Sequence, residues 1–246
     1  MLDITQHGAV ATLSIARPEV RNAMSLGLAH KISEAMAELN KDPEVKAIIL
    51  RGKEHGFCAG SDLKELSTFN LDQISAAERE KAAVARSFCF LDTPVIAAVD
   101  GFTMGGGMVF TVSCDVVFTA KNARWHLPEV ALGWNPGWGV QAFLARCGPY
   151  VTRHVCWGVD PFDGEEAVRL GLADFLTEGS AADAAHDYAT KLATLPEHAV
   201  AATKRLCAPA AGDNSQVLDL MANQMFHESC KHEVAKASYA RFGVKI

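Results

Sequence analysis

Two glycine-containing loops could place main-chain amides around a negatively charged oxygen. The first runs from Gly56 to Asp62, and the second is the run Gly105–Gly107, which follows an apolar stretch ending at Val99. Glycine carries no Cβ, so its backbone can come close to a ligand. A helix that begins after such a loop adds the positive end of its dipole. The triple glycine therefore permits close approach of the backbone to a ligand, and a tight turn without function is the alternative.

One carboxylate is the candidate acid or base. Glu129 follows Pro128 in an irregular segment rich in Pro, Gly and Trp, where a side chain can be directed into a cleft. A carboxyl group buried in such a place has a raised pKa and can exchange protons near neutral pH. The alternative for Glu129 alone is a surface glutamate. His126 is a second polar candidate, with a purely structural role as its alternative.

Several known functional motifs are absent from the sequence. The glycine run fits neither GxGxxG nor a P-loop, which needs a following Lys-Ser/Thr, and there is no GxSxG. His227 and His232 are five residues apart, so on one helix their side chains point about 140° apart and cannot share a metal ion. We therefore expect no metal site.

Composition excludes other classes of function. A net charge of −6 without a Lys/Arg-rich run argues against nucleic-acid binding. The seven scattered cysteines, without a CxxC, predict free thiols in a reducing compartment. No apolar run approaches the ~20 residues that a membrane span needs, and no secretory signal is visible at the N-terminus. We expect a cytoplasmic protein that contacts no membrane.

The apolar pattern predicts alternating strands and helices. Strands are predicted at 2–15 (two, with a turn at His7-Gly8), 47–50, 94–99 and 115–120. Helices are predicted from an N-cap at Ser25 to about Asn40 and at 108–113, 139–147, 163–170, 181–194, 197–207 and 215–240, with the last three separated by breaks at Leu195-Pro196 and Pro209–Gly212. Residues 64–85 are charged and alanine-rich with a weak apolar stripe, which predicts a mobile helix or lid. This order favours an α/β core with helices packed around it.

Five segments together resemble the crotonase (enoyl-CoA hydratase/isomerase) family. They are Arg17-Pro18 with Asn22–Ser25; Gly56–Glu65; Pro94–Gly101 with Met104–Gly107 and Cys114-Asp115; Leu127–Gly133 with Pro136-Gly137; and Glu166-Ala167 with Gly171–Asp174. They occur in the family's order and cover essentially the whole chain. The resemblance implies the α/β crotonase (ClpP/crotonase-like) fold, a spiral of ββα units with a helical C-terminal region.

The resemblance also implies a chemistry. Family members form an enolate of a CoA thioester, and its oxygen would be held by the backbone N–H groups of Ser61 and Gly106. Losing one such donor typically costs on the order of 3 kcal/mol. Glu129 would move the proton. The CoA thioester is the substrate, and no tightly bound cofactor is implied.

Substrate-binding residues follow from the same resemblance. They are Arg21, Ala59, Gly60, Asp62, Leu63, Gly105, Val109, Trp134, Trp138 and Lys204. The backbone of 59–63 would meet the adenine and Arg21 a CoA phosphate, with Lys204 as a weaker candidate. An ordinary surface charge is the alternative for both cations. Glu129 is flanked by Trp125, Trp134 and Trp138. These side chains could line a pocket for a bulky or aromatic acyl group; the alternative is that they belong to the core or to a subunit contact.

One position departs from the hydratase pattern. Hydratases of this family carry a second glutamate two residues beyond the triple glycine, where this chain has Val109. Isomerases of the family work with the single carboxylate that matches Glu129, so double-bond isomerisation is favoured. Hydroxycinnamoyl-CoA hydratase-lyases also lack that glutamate, so a single-carboxylate hydratase or hydratase-lyase stays open, as does an inactive CoA-binding subunit. Dehalogenase chemistry is rejected, because residues 135–138 contain no carboxylate.

The predicted organisation has two parts. Residues 1–190 would form the ββα spiral with the CoA-binding and catalytic loops, and residues 191–246 a helical trimerisation region. By resemblance, the expected assembly is a homotrimer or a dimer of trimers, with an acyl-CoA as the small-molecule partner.

Overall fold

The structure is a computed structural model that describes residues 1–54, 56–212 and 214–244. Its strands are β1 Leu2–His7, β2 Val10–Ile15, β3 Ala47–Gly52, β4 Val95–Val99, β5 Phe102–Met104, β6 Val116–Ala120, β7 Arg124–His126 and β8 Phe175–Thr177. Its helices are α1 Leu26–Leu39, α2 Leu63–Leu66, α3 Leu71–Ser87, α4 Gly106–Val112, α5 Glu129–Leu132, α6 Val140–Trp157, α7 Gly164–Arg169, α8 Ala181–Leu192, α9 Glu197–Gly212, α10 Ser215–Ser229 and α11 Glu233–Arg241. The α/β class predicted from the sequence is confirmed.

The main sheet has six strands in the order β1, β2, β3, β4, β6, β8. β1 and β2 form an antiparallel hairpin, and the other neighbouring pairs are parallel. Alternate residues of β3 serve opposite faces: Ile48 and Leu50 pack in a cluster with α1, whereas Ile49 packs with α8. A sheet covered on both faces requires strands that are apolar throughout, which explains the continuous apolar run of β3.

A second, two-stranded sheet brings the functional loops together. β5 and β7 are parallel, and Cys58 forms an isolated bridge with Thr103 of β5. Met104 N–H donates to the Cys58 carbonyl at 2.9 Å, and Gly105 N–H donates to the carbonyl of His126 at the end of β7, also at 2.9 Å. The loops after residue 58, after β5 and after β7 therefore meet at one place.

The segment predicted as a mobile helix or lid contains α2 and α3. Asn70 caps α3 in a capping box with Gln73. Asn223 of α10 joins α3 to the C-terminal helices: its Oδ1 accepts from Arg79 at 2.9 Å, and its Nδ2 donates to the Ser75 carbonyl at 3.0 Å. α3 has a broad buried face. The sequence showed only a weak apolar stripe because that face includes polar side chains.

The C-terminal region differs from its prediction in two places. α9 continues to Gly212, although Pro209–Gly212 was predicted to break it, and the helix predicted over 215–240 is divided into α10 and α11. α11 folds back onto α5 at Gly133, whose φ is +104°; a Cβ there would lie 2.7 Å from the Ala235 nitrogen. The predicted domain boundary after 190 falls inside α8 and stays a prediction, and residues 245 and 246 lie outside the described part.

None of the helices among the described residues is long and apolar enough to cross a lipid bilayer.

Candidate active site

Two glycines allow the predicted anion-binding loops to touch. Gly60 has φ +94° and Gly105 has φ +52°, both in the region that favours glycine. A Cβ placed on Gly60 would lie 3.1 Å from the Met104 carbonyl oxygen and 3.5 Å from the nitrogen of Gly106. The two loops thus pack backbone against backbone, which side chains at these positions would prevent.

The N–H groups of Ser61 and Gly106 are available as donors. Ser61 forms a parallel bridge with Met24, but the bridge uses the carbonyl of Gly60 and the N–H of Asp62, so the N–H of Ser61 points away from it. Gly106 is the first residue of α4, where an N–H has no partner within the helix. In the described part of the chain, neither group donates to a main-chain carbonyl. Both could donate to an oxyanion.

Glu129 is placed against these loops. It is the first residue of α5, and its Oε1 lies 3.1 Å from the position that a Cβ on Gly105 would take. Its Oε2 is buried and has no hydrogen-bond partner among the residues that the structure describes. Burial, with a smaller effect of the Glu78 charge, raises the pKa of Glu129 to about 7. A carboxyl group with this pKa can both accept and donate a proton near neutrality.

The tryptophans near Glu129 have different environments. Trp125 donates its Nε1–H to Thr119 Oγ1 in the core, and Trp134 stacks on Tyr239 with ring centroids 4.4 Å apart. Trp138 touches the loops: its ring lies 3.0 Å from where a Cβ of Gly106 would be. The structure therefore brings Trp138 to the site and places Trp125 and Trp134 in packing roles. His126 is bonded through Nε2 to the Gly158 carbonyl at 3.0 Å, in keeping with the structural alternative.

Val109 contributes only aliphatic surface. It is 3% exposed, and its Cγ1 lies so close to Gly139 that a Cβ there would be 2.0 Å away. A proton carrier at position 109 is absent, as the sequence indicated.

Asp62 has a structural task beside the site. Its Oδ1 caps α2 by accepting from the N–H groups of Lys64 and Glu65, and its Oδ2 pairs with Arg17 at 2.8 Å. Burial alone would raise the pKa of Asp62, but the Arg17 guanidinium and the capping N–H groups hold it below its usual range. Leu63 is partly buried and packs against an apolar cluster with Leu66 and Trp134.

The two predicted CoA anchors lie in different places. The Arg21 carbonyl accepts from the Ala59 N–H at 3.1 Å, and its exposed guanidinium lies 4.7 Å from the Phe102 ring centroid, beside the loops. Lys204 is elsewhere: its Nζ donates to Asp115 at 2.6 Å and to the Thr93 carbonyl at 3.0 Å. It lines a cavity of about 740 Å³ whose lining does not include Glu129. The structure does not bring Lys204 to the site.

Sequence reasoning missed a buried charge pair beside the site. Glu78 and Lys81 lie on α3, and their Oε1 and Nζ are 3.0 Å apart, with side-chain exposures of 10% and 0%. A Glu and a Lys three residues apart on a charged helix are typical of a solvent-facing pair. The sequence therefore offered no signal for their burial.

Comparison with known proteins decides the family. A model of the enoyl-CoA hydratase/isomerase family matches residues 5–245. The chain belongs to that family. It is 34% identical to a short-chain-enoyl-CoA hydratase of Clostridium acetobutylicum, over 72% of this chain and 69% of that one. It is 31% identical to the mitochondrial methylglutaconyl-CoA hydratase of Mus musculus, over 92% of this chain and 72% of the relative.

Solved structures confirm the fold of this family member. An enoyl-CoA hydratase/isomerase from Mycobacterium paratuberculosis superposes with a TM-score of 0.88, at 24% identity, over 98% of this chain and 97% of that one. An enoyl-CoA hydratase from Bacillus anthracis gives 0.79 at 26% identity, over 93% and 90%. The predicted crotonase fold is confirmed. Family members act on CoA thioesters without a tightly bound cofactor, and the described residues contain no cluster of three or more His, Cys, Asp or Glu that could hold a metal ion.

Proposed function

We propose that this enzyme moves a proton at C2 of an enoyl-CoA with Glu129 as its single acid and base, and that the net reaction is double-bond isomerisation. The observation that carries the proposal is Glu129 itself, which is buried beside the Ser61–Gly106 donor pair and has one carboxyl oxygen without a hydrogen-bond partner in the described part of the chain. Val109, where a hydratase of this family has its other glutamate, supports a one-carboxylate reaction.

In this mechanism the thioester oxygen accepts hydrogen bonds from the N–H groups of Ser61 and Gly106. The Glu129 carboxylate takes a proton from C2 of a 3-enoyl-CoA, and the electron pair delocalises onto the thioester oxygen as an enolate. The same carboxyl group then returns the proton to C4, so the double bond moves to C2–C3. Donors that are already in place stabilise the developing charge without reorganising.

Glu78 is unsuited to a second proton transfer. Its Oε1 accepts from Ser61 Oγ at 2.7 Å and from Lys81 Nζ at 3.0 Å, and its Oε2 accepts from Trp138 Nε1 at 2.6 Å. Burial alone would raise the pKa of Glu78, but the Lys81 ammonium and these hydrogen bonds hold it below the usual range. Two carboxyl groups whose environments separate their pKa values take different roles, and here Glu129 is the one that exchanges protons.

Hydration is the second candidate. The two curated relatives described above are named hydratases. A single carboxylate can take a proton from water as the water oxygen adds to C3 of a 2-enoyl-CoA, and can then return that proton to C2. A hydratase-lyase acting on an aromatic acyl-CoA is the related alternative.

The deciding experiment follows the absorbance of the conjugated 2-enoyl thioester after a 3-enoyl-CoA is added. Absorbance that rises and persists supports isomerisation. A rise followed by decay shows that the enzyme also adds water. Binding of the CoA ester without any change would contradict isomerisation. A 2-enoyl-CoA is then added to the same enzyme: loss of its absorbance supports hydration, whereas no loss contradicts both reactions and supports the inactive CoA-binding subunit.

The rate should rise with pH through the pKa of Glu129. The reaction needs the carboxylate, and burial raises the pKa of this group to about 7, so kcat/KM is expected to increase from pH 5.5 and to level off above about pH 8. His126→Gln is the control, because His126 lies next to the loops, where its carbonyl accepts from the Gly105 N–H. The rise of kcat/KM with pH should persist in this variant. A flat profile from pH 5.5 to 8.5 would contradict the assignment.

We also propose that the enzyme assembles as a homotrimer or dimer of trimers through its C-terminal helices. α10 presents an exposed apolar stripe of Val217, Leu220, Met221 and Met225, each 54–60% exposed. These residues recur at helical spacing, and such a stripe is typical of a contact surface. A second copy of this chain is the proposed occupant, and sedimentation of the intact protein as a monomer would contradict it.

A further inference from the structure

The buried pair on α3 connects residues from two different loops. Glu78 bonds to Ser61 Oγ on one side and to the Trp138 indole on the other, and Lys81 Nζ also donates to Ser61 Oγ at 3.1 Å. Ser61 and Gly106 supply the two N–H groups of the proposed oxyanion hole, and the Trp138 ring lies against Gly106. The Glu78 carboxylate is thus bonded to the side chain of Ser61, which is one donor residue, and to Trp138, which packs against Gly106, the other donor residue.

Burial of the Glu78–Lys81 ion pair is not explained by stability. Removing two charges from water is costly, so a buried ion pair is weak evidence of stability. Here both Glu78 oxygens have partners, which fixes the carboxylate in one place. A fixed and fully hydrogen-bonded anion suits the positioning of other groups.

Glu78 is also the charged neighbour of Glu129. The other ionisable side chains that interact with Glu129 are Cys156 on α6 and Tyr239 on α11. Both are uncharged near neutral pH, since burial raises the pKa of the Cys156 thiol to about 12 and also raises that of the Tyr239 hydroxyl. The negative charge that acts on Glu129 therefore comes from α3.

We propose that Glu78, paired with Lys81, is a positioning residue of this site that fixes Ser61 and Trp138 around the oxyanion hole. The proposal deepens the proposed function and rests on it for the identity of the thioester oxygen. It assigns to α3 a carboxylate that acts on the chemistry without carrying a proton.

The test uses the double variant Glu78→Gln/Lys81→Met, because Glu78→Gln alone leaves an unpaired buried ammonium and can fail to fold. Glu80→Gln is the matched control: it is the same change on the same helix, at a side chain that is 52% exposed. Each protein is titrated with a 2,4-dienoyl-CoA, whose absorbance shifts to the red when hydrogen bonds polarise its carbonyl. The kcat, the KM and the pH profile of the 3-enoyl-CoA reaction are measured in parallel.

The double variant is expected to fold, to bind the dienoyl-CoA with a smaller red shift, and to lose about 10- to 100-fold in kcat with KM within about threefold. The rise of its kcat/KM with pH should occur at lower pH, because the Glu78 charge that raises the pKa of Glu129 has been removed. Ser61→Ala keeps the N–H but removes the Oγ, so its effect should be less than additive with that of the double variant. Glu80→Gln should match the wild type throughout.

Two results separate this proposal from the proposed function. If the wild type does not isomerise 3-enoyl-CoA but the double variant still loses the red shift, the positioning role stands and the reaction assignment fails. If the wild type isomerises and the folded double variant keeps the red shift, the kcat and the pH limb, the pair is structural only and the proposal is overturned.

Discussion

Replacing Glu129 with glutamine is expected to lower kcat for a 3-enoyl-CoA by about 10³- to 10⁴-fold, the upper range for loss of a general acid–base group. The loss is large because no described residue besides Glu129 is placed to carry the proton: position 109 is a valine, and both Glu78 oxygens are already hydrogen-bonded. The affinity for the CoA ester should change little, since the amide has nearly the same shape. Stopped-flow absorbance gives kcat, and calorimetry gives the affinity.

The stability of the Glu129→Gln variant separates chemistry from folding. The pKa of Glu129 in the folded protein, about 7, is above the value of about 4.3 for an unfolded glutamate, so the folded state binds more protons between these values. The carboxyl group thus favours folding at low pH and loses that contribution as the pH rises through 7. Glutamine does not titrate, so the Tm of the variant relative to wild type should increase from pH 5.5 to 8.

A matched substitution completes the test. Glu19→Gln changes an exposed glutamate and should keep both kcat and the pH dependence of Tm. Turnover by Glu129→Gln within about tenfold of wild type would show that another group moves the proton.

Gly105→Ala is expected to lower kcat by about 100-fold, as a misplacement on the order of 1 Å does, and to destabilise the fold by about 1–3 kcal/mol. Gly105 has φ +52° and ψ −130°, a conformation that alanine adopts only under strain. The new methyl group would also lie 3.1 Å from Glu129 Oε1, closer than an ordinary van der Waals contact, which displaces the carboxylate. Steady-state kinetics and urea unfolding measure the two effects.

Gly27→Ala provides the control for this change. Gly27 lies in α1, and a Cβ there meets no atom within 4 Å, so alanine should be neutral or stabilising by up to about 1 kcal/mol. If Gly105→Ala folded normally and kept its kcat, the loop after β5 would not be at the reacting atoms.

Local sequence patterns were sufficient for the core and for the loops. Ser25 was predicted to cap α1, and its side chain accepts from the Leu28 N–H. The apolar runs of β3 and β4 are buried strands, and the glycines at 60 and 105 have the positive φ values that close backbone contact needs. These features depend on a few adjacent residues, so their physical causes are visible in the chain itself.

The features that were not predicted depend on distant partners. The burial of Glu78 requires Ser61, 17 residues away, and Trp138, 60 residues away. In the sequence, Lys204 cannot be distinguished from a surface cation, because its partner Asp115 lies 89 residues earlier. A side chain's charge and helical spacing are the same whether it faces water or a partner, so only the assembled fold separates the two cases.

The packing of α11 onto α5 has a consequence for biosynthesis. Glu129 lies near the middle of the sequence, yet the helix that carries it rests on residues around Ala235 and Tyr239. A nascent chain that has passed residue 129 but not yet residue 235 possesses the carboxylate and both glycine loops but lacks the helix that packs against α5. Thioester chemistry should therefore begin only after the last helix has left the ribosome and folded back, so partial translation products would be inactive.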